Sequence, residues 1–520
     1  MSEPTGVLGD GWWPVARVAR EDAPWAGEPR RRHPADADSV TADAHNGAAD
    51  LAAENSRRRD PPAWRLLAGD VARLLARLMP ALAAGSRPGA LLSPRRLVRG
   101  LSRRTRARAL RRFGQLPFFD AADYLALNRD VAGSRVAADF HALFLGGAEC
   151  RVLFRPDAVA RSLGACLPAT SAAPAAAARP AAERGRCPRL GLFVSSLGNV
   201  FMREIADDLA ASLRTAGIAV EVLDETADIA ARPAMCVFVA PHEFFLLGRG
   251  PQWVRDEVVS RAFMLNTEQV QTPWFVRALP FLLASRGVID LCAQTTAIFA
   301  QTGLPSLHVG LTPPDGAGRL SAGDRCHPLF RVLPAAARVD PRADCPFEAR
   351  PIEIAFFGAE TPQRSAWLAR NAGFLADYET FIHCRRIDRG PLRTGTSDGA
   401  LTRLARHVCG HARISLNLHR DAFGYLEWHR VVRLGLASGS VVVSEPCLPH
   451  PLLHPGVHYF EEQSRQIPDL LEWLLRSADG RRRAAAMQHA AAKLLADGLD
   501  PRQTAARVLA FVLDPGLAPA

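Results

Sequence analysis

The chain has 520 residues and almost no lysine: of its 64 basic side chains only Lys493 is not an arginine. Arginine over lysine, beside abundant alanine, is most often the mark of a GC-rich genome. The formal charge of +11 and the pI near 9.7 therefore have a compositional explanation. The same excess also favours phosphate-bearing or membrane-surface partners. No stretch approaches eighteen unbroken apolar residues, so no spanning helix is expected. The start, MSEPTGVLGDGWWPVARVARED, lacks a basic segment followed by an apolar run, so no signal peptide is expected. Ten cysteines, from Cys150 to Cys447, never form a C-x-x-C pair. That excludes a zinc ribbon and a dense disulfide framework and suits free thiols in a reducing cytosol. There is no GxGxxG, so nicotinamide binding is poorly supported, and no nucleic-acid partner is expected. What is present is 48% apolar and 22% charged side chains, enough for real cores in two or three domains.

Residues 1–60, rich in Ala, Asp, Arg, Pro and Gly, show no apolar period and read as mostly disordered. Residues 61–115 read as a basic amphipathic segment: 63–85 has helical apolar spacing, from Leu66 to Leu78, and 93–115 is dense in arginine. Such a segment can lie on an anionic membrane surface, or be a solvated basic linker. Residues 116–163 read as a small helical module in which Asp120 caps a helix bearing Tyr124 and Leu125. Residues 164–188 are an Ala/Pro-rich, semi-stiff linker, and the two larger domains are expected to begin after it.

The texture then changes. An apolar strand, a small-residue turn, an amphipathic helix and another apolar strand follow from Arg189, which is a βαβ unit. A second series starts at PIEIAFFGAETPQRSAWLARNAG. The spacing predicts an α/β fold of two Rossmann-like domains with parallel sheets, 189–325 and 350–475, joined by a connector at 326–349 and finished by helices over 476–520.

In an open parallel sheet, ligands bind beyond the carboxyl ends of the strands. ISLNL ends at Leu418, so His419, Arg420 and Asp421 lie at such an end, and a helix is expected from about Tyr425. Its N–H groups suit a phosphate. Glu427, in its first turn, can accept from a ribose diol, and Arg430, three residues on, can clamp a diphosphate. An ordinary helix start with solvated charges would show the same spacing.

Other candidates sit at equivalent places. Ser195, Ser196, Gly198 and Asn199 form the first turn of the first domain, where small residues let a substrate approach or simply make a tight turn. His242 and Glu243 follow CVFVA, and Glu268 and Gln269 follow FMLN. His242, Glu243 and Glu268 are candidate general bases for an acceptor hydroxyl, or ordinary structural residues. His450, His454 and His458 have spacing four, but Pro449, Pro451 and Pro455 forbid a regular helix there, so a loop and no metal site is expected. No Asp-x-Asp stands at a strand end of either half.

Two stretches resemble known families. FFDAADYLALNRDVAG…FHALFLGGAECRVLF resembles a helical module attached to bacterial polysaccharide glycosyltransferases, through Phe119, Asp120, Tyr124, Leu125, Asn128, Asp130, Val131, His141, Gly146 and Phe154, with Arg129 where that module has proline. FGYLEWHRVVRLGLASGSVVVSEP resembles the C-terminal half of GT-B glycosyltransferases near the group-1 and CgeB-like branches, through Phe423, Gly424, Glu427, Leu436, Ala437, Gly439, Val442, Val443, Ser444 and Glu445. LNTEQ, IEIAFFGAETPQRSAWL with Gly358 at its turn, NLH and PGVHYFEE are also similar to that branch. Many retaining members carry two glutamates separated by seven residues; here His419 stands at the first position.

The resemblance implies a GT-B enzyme that transfers a sugar from a nucleotide-diphosphate-sugar co-substrate to a saccharide or lipid-linked acceptor, in cell-surface polysaccharide or glycoconjugate synthesis, without a bound cofactor. The donor side would be His419, Arg420, Gly424, Glu427, Arg430, Ser444 and Glu445; the acceptor side, the Ser196, Gly198 and Asn199 loop. A cytoplasmic, membrane-peripheral protein is expected. Two rival readings remain: a GT-B-like nucleotide-sugar epimerase, and a non-catalytic nucleotide-sugar or saccharide-binding scaffold.

Overall fold

Runs such as LGLF, MCVFV and VVVS are apolar on both sides, which suits strands covered on both faces. In the computed structural model, which describes residues 93–166, 189–314, 319–342, 344–386, 392–393 and 398–515, they form two parallel sheets. Strands β1 (Leu190–Phe193), β2 (Val220–Leu223), β3 (Met235–Val239), β4 (Phe263–Asn266), β5 (Gly287–Asp290) and β6 (Ser306–His308) lie in the order β2-β1-β3-β4-β5-β6. Strands β7 (Ile352–Ala359), β8 (Thr380–Arg385), β9 (Ala412–Asn417), β10 (Val441–Ser444) and β11 (Phe460–Glu461) lie in the order β11-β10-β9-β7-β8. Leu192 faces Val237 across β1 and β3, and Ile354 faces Ile414 across β7 and β9. The protein thus has the two-domain α/β architecture of a GT-B fold.

Both sheets reverse direction once. The chain goes from β1 out to β2 and returns beyond β1 to β3; it goes from β7 to β8 and returns beyond β7 to β9. A crevice opens at each reversal, at the carboxyl ends of β1 and β3 and of β7 and β9. The turns after those four strands, with the one after β4 beside β3, position the site.

The last helix of the chain, Pro501–Leu513, returns to the first domain. Ala505, Val508, Phe511 and Val512 join Leu209 and Leu213 of helix Val200–Thr215 and Leu192 of β1 in one core. Helices Ile467–Arg476 and Ala478–Lys493 stay on the second sheet, through Leu471, Leu474, Ala484 and Met487.

The arginine-rich segment and the helical module are built onto the first domain. Helices Pro94–Gly100 and Arg103–Gly114 start at Ser93 and Ser102, whose hydroxyls accept from backbone N–H groups three residues on. Leu97, Leu101, Phe113, Tyr124, Phe144 and Leu163 share one continuous core with Phe193, Phe238, Trp253 and Phe275. The module residues hold the module itself. Asp120 caps its helix by accepting from the Asp123 N–H at 2.8 Å, and the Tyr124 hydroxyl meets His141 Nδ1 at 2.9 Å. The Asn128 amide bridges the Tyr124 and Val152 carbonyls, and Arg151 forks onto Asp130.

Removing everything before Arg189 would therefore uncover the core face of the first domain, which corrects the reading of the linker as a clean boundary. The reading of 93–115 as a solvated linker is corrected too. Arg108 donates to the Ala284 carbonyl at 2.7 Å, and Arg112 to those of Leu283 and Ser285 at 2.7 and 3.2 Å. These are the unpaired carbonyls that end helix Pro273–Ala284. Arg95, Arg96, Arg99, Arg103, Arg104 and Arg111 remain exposed. The disorder expected over 1–60 and the helix over 63–85 lie outside the described residues, as does the linker expected over 164–188 except for its first three positions, where Gly164 and Ala165 end helix Pro156–Ala165.

Candidate functional site

In the first domain the crevice is lined by the turns after β1, β3 and β4. Ala240 leaves β3 in a left-handed conformation, φ 51°, buried, with its N–H on the Leu265 carbonyl at 3.0 Å. A left-handed alanine costs on the order of 1 kcal/mol. The strained turn starts the single helical turn Pro241–Phe244 and brings Glu243 against the β1 turn. There Glu243 Oε2 accepts from the Asn199 N–H at 2.9 Å, and a Cβ on Gly198 would collide with that carboxylate. Gly198 is a glycine because Glu243 needs the space.

Glu268 follows β4. Its Oε1 lies 3.6 Å from His242 Nε2, and its Oε2 accepts from the Thr272 hydroxyl at 3.4 Å. Asn266 at the end of β4 donates both to the Glu268 carbonyl and to Asp290 at the end of β5, each at 2.9 Å. Burial dominates the electrostatics. It pushes Glu243 up to about 8, opposed by the Asn199 N–H and Arg393 and reinforced by Glu268. It pushes Glu268 up to about 7, with Arg420 pulling back, and Asp290 up to about 7. Burial and the charge of Arg277 push His242 down to about 3, so that imidazole is neutral at ordinary pH. Of the three base candidates, burial raises both glutamates toward neutrality, and Glu268 is the one that also feels Arg420 of the second domain, which places it on the cleft side.

In the second domain the turns after β7 and β9 meet. Glu427 accepts from two guanidiniums: Arg364 on Oε1 at 3.1 Å and Arg430 on Oε2. Arg364 is 1% exposed and also donates to the carbonyls of Leu418 (3.0 Å) and Ala359 (3.1 Å), which ties the two strand ends together. Burial alone would raise the Glu427 carboxyl. Arg430 and Arg364, with His419 and Arg420 behind them, outweigh it and hold the group below the ordinary glutamate value. Two of the roughly four acceptor positions of the carboxylate are taken, which leaves capacity for a diol.

The helix begins later than its apolar spacing suggests. Trp428 is its first residue, not Tyr425; it is wound wide over His429–Gly435, and Gly439 stops it with φ 72°. Gly424 to Glu427 stay outside the helix for a physical reason. Gly424 lies against the Pro446 carbonyl and its own carbonyl accepts from the Leu448 N–H, while the Tyr425 hydroxyl reaches across to accept from the Val270 N–H at 3.1 Å. Glu427 therefore stands just before the helix, its carbonyl accepting from the Arg430 and Val431 N–H groups, rather than in the first turn.

The crevices of the two domains face each other. The charge of Arg420 lowers the pKa of both Glu268 and Glu427, so Arg420 sits electrically between them. Gln271 reaches Asp421 at 3.3 Å, and Trp428 Nε1 donates to the Leu311 carbonyl at 2.8 Å. Behind the site, Arg433 pairs with Glu204 and Asp208 of helix Val200–Thr215, and His429 Nε2 meets Glu204 at 3.2 Å.

Several sequence candidates are occupied otherwise. The Ser444 hydroxyl is fully buried and spent on the Glu445 carbonyl and the Asn417 amide, so it offers nothing to a donor. Glu445 accepts from the His419 N–H, and His419 Nε2 donates to the Pro446 carbonyl at 2.8 Å, which leaves His419 Nδ1 buried without a partner. Ser196 gives its N–H and hydroxyl to Glu225 at 2.8 and 2.6 Å. The Asn199 side chain caps the following helix, and Asn199 pairs with Arg393 as an isolated bridge. The first turn is thus a scaffold for Glu243, not a row of free acceptor contacts. His450, His454 and His458 lie in a loop, as expected, and among the described residues no group of three His, Cys, Asp or Glu could hold a metal. Sequence reasoning missed Arg364, Asn266 and Asp290.

No protein-family model matches the chain, and no curated protein matches it. Among solved structures, Anabaena HepE in complex with UDP-glucose is similar at 11% identity and a TM-score of 0.39, over 62% of this chain and 99% of that one. The DNA-modifying enzyme β-glucosyltransferase is similar at 10% identity and 0.36, over 63% and 99%. A UDP-N-acetylglucosamine 2-epimerase is similar at 11% identity and 0.34, over 62% and 95%.

Proposed function

We propose that the protein is a glycosyltransferase that takes a sugar from a nucleotide diphosphate and gives it to a saccharide hydroxyl. The observation that carries this reading is the pairing across the cleft: a near-neutral carboxylic acid, Glu268, on one side, and an ionised Glu427 held by Arg364 and Arg430 on the other. The residues divide the work. Glu427 accepts from the ribose diol. Arg430, Arg420 and the N–H groups at Trp428 neutralise the diphosphate as it leaves. Glu268 takes the proton of the acceptor hydroxyl, whose oxygen bonds to the anomeric carbon as the bond to the diphosphate breaks and its electron pair departs with the phosphate. Glu243, protonated near neutrality, donates a hydrogen bond to the acceptor, and neutral His242 orients Glu268 from behind.

A screen of nucleotide sugars for ligand-induced thermal stabilisation tests the reading. One nucleoside diphosphate and its sugar should both stabilise the protein, and a stabilised complex supplied with an acceptor should release the free diphosphate. Release without an acceptor product, or an epimerised sugar, would point to the epimerase instead; stabilisation without any turnover would point to the scaffold.

The finer setting belongs to the same proposal: a lipid-linked acceptor in polysaccharide assembly, and a protein held at the cytoplasmic face of an anionic membrane. What supports the last point is the exposed arginine set Arg95, Arg96, Arg99, Arg103, Arg104 and Arg111. Each basic residue near such a surface contributes about 1 kcal/mol, and the attraction fades with salt. Co-sedimentation with anionic vesicles at low and high salt checks it; no binding at low salt would mean that these arginines serve only the surface.

A further inference from the structure

Helix Arg103–Gly114 turns Arg108, Arg111 and Arg112 to one side, and Gln115 just after it, at spacings of three, four and seven from Arg108. They line a cleft of about 500 Å³ closed on its other side by Gln301, Thr302 and Gly303, at the end of helix Ala293–Gln301. The volume falls in the range of small-molecule sites. No carboxylate lines it.

The positive charge there is incompletely answered. Arg108 and Arg112 are pinned by their bonds to the carbonyls of residues 283–285, which accounts for part of their donor capacity. Arg108 Nε is buried with no hydrogen-bond partner, and Arg111 is exposed. The one carboxylate acting on Arg108, Asp256, already accepts from the Ser102 N–H at 3.0 Å. Burial and the neighbouring Arg108 and Arg111 push Arg112 down to about 10. An anion between the guanidiniums would remove that repulsion, and the exposed amides of Gln115 and Gln301 supply neutral groups for adjacent hydroxyls.

The place also matters. The cleft lies where helices Pro273–Ala284 and Ala293–Gln301 end, ahead of β5 and β6, and so at the amino ends of the strands. The candidate active site is at their carboxyl ends. A ligand here cannot touch Glu268 or Glu427.

We infer that this cleft is a second anion site, built for a phosphate ester flanked by hydroxyls. That chemistry comes from two sources, a phosphorylated small polyol or the headgroup of a phospholipid. The test uses the full chain, with sn-glycerol 3-phosphate as the free probe, glycerol as the neutral control, and phosphatidylcholine vesicles with and without phosphatidylglycerol. Arg111→Ala should weaken glycerol phosphate binding about tenfold, the scale of one charge-assisted contact, and Arg111→Glu should abolish it. Both variants should melt as the wild type does, because Arg111 is exposed. Arg430→Ala should leave the binding intact. Vesicle binding that needs phosphatidylglycerol and is lost in Arg111→Glu assigns the headgroup; free-probe binding alone assigns a soluble ester. Glycerol phosphate binding that survives Arg111→Glu, binding that disappears with Arg430→Ala, or no binding to either probe would overturn the inference.

Discussion

Glu243→Gln isolates the consequence of burying an acid at the reversal point of the first sheet. The Glu243 carboxylate accepts from the Asn199 N–H and presses on Gly198, and burial pushes it up to about 8. An unfolded chain releases that proton near the ordinary glutamate value, about 4.3. Between the two values the folded protein holds a proton that the unfolded chain has lost. Stability contributed by this group is therefore fully present below the unfolded pKa and falls as pH rises, levelling off above about 8. The limiting slope for one proton is about 1.4 kcal/mol per pH unit, so the loss from pH 5 to pH 7 is roughly 3 kcal/mol. Glutamine keeps the shape and a carbonyl oxygen for Asn199 but cannot titrate. Urea unfolding of both proteins across that range measures the difference. The wild type should lose stability against the variant with close to the one-proton slope. Parallel curves would show that Glu243 ionises normally, and its role as a protonated hydrogen-bond donor would lose its ground.

Transfer activity should rise through about pH 7 as Glu268 ionises, and Glu268→Gln should lower turnover by about 10²–10⁴-fold, read from initial rates across pH. Arg433→Met would strand the buried Asp208 without its guanidinium and leave Glu204 with His429 alone; about 3–5 kcal/mol of stability should go, measured by denaturant unfolding. Activity should persist in EDTA, because arginines rather than an ion meet the diphosphate charge; complete loss, restored by manganese, would count against that.

The sheets were legible because apolar runs and amphipathic helices alternate, and period reports which face of an element is buried. Glu427, His419 and Arg430 could be found together because they lie within a few residues of one strand end. Arg364 could not: its partner Glu427 is 63 residues further on, and its only local sign is a place in the first turn of a helix after β7. The pairing of Arg433 with Glu204 spans 229 residues, and no periodicity carries that information. Ser444 misled because a polar residue at a strand end looks the same whether it faces a ligand or its own neighbours. The late helix start at Trp428 was hidden for a related reason, since the Tyr425 hydroxyl is tied to the Val270 N–H of the other domain.

The central claim is that Glu427 binds the ribose of a nucleotide diphosphate in this cleft, and calorimetric titration tests it most directly. The wild type, Glu427→Ala and Glu427→Gln would each be titrated with UDP, GDP and the other diphosphates. Removing the carboxylate should weaken the one nucleotide that binds by about 1–3 kcal/mol, the scale of hydrogen bonds to a charged group. Glu427→Ala also leaves the buried Arg364 without its carboxylate, so Glu427→Gln, which keeps the shape, serves as the folded control and should bind with intermediate affinity. Unchanged affinity in a folded variant would contradict the account.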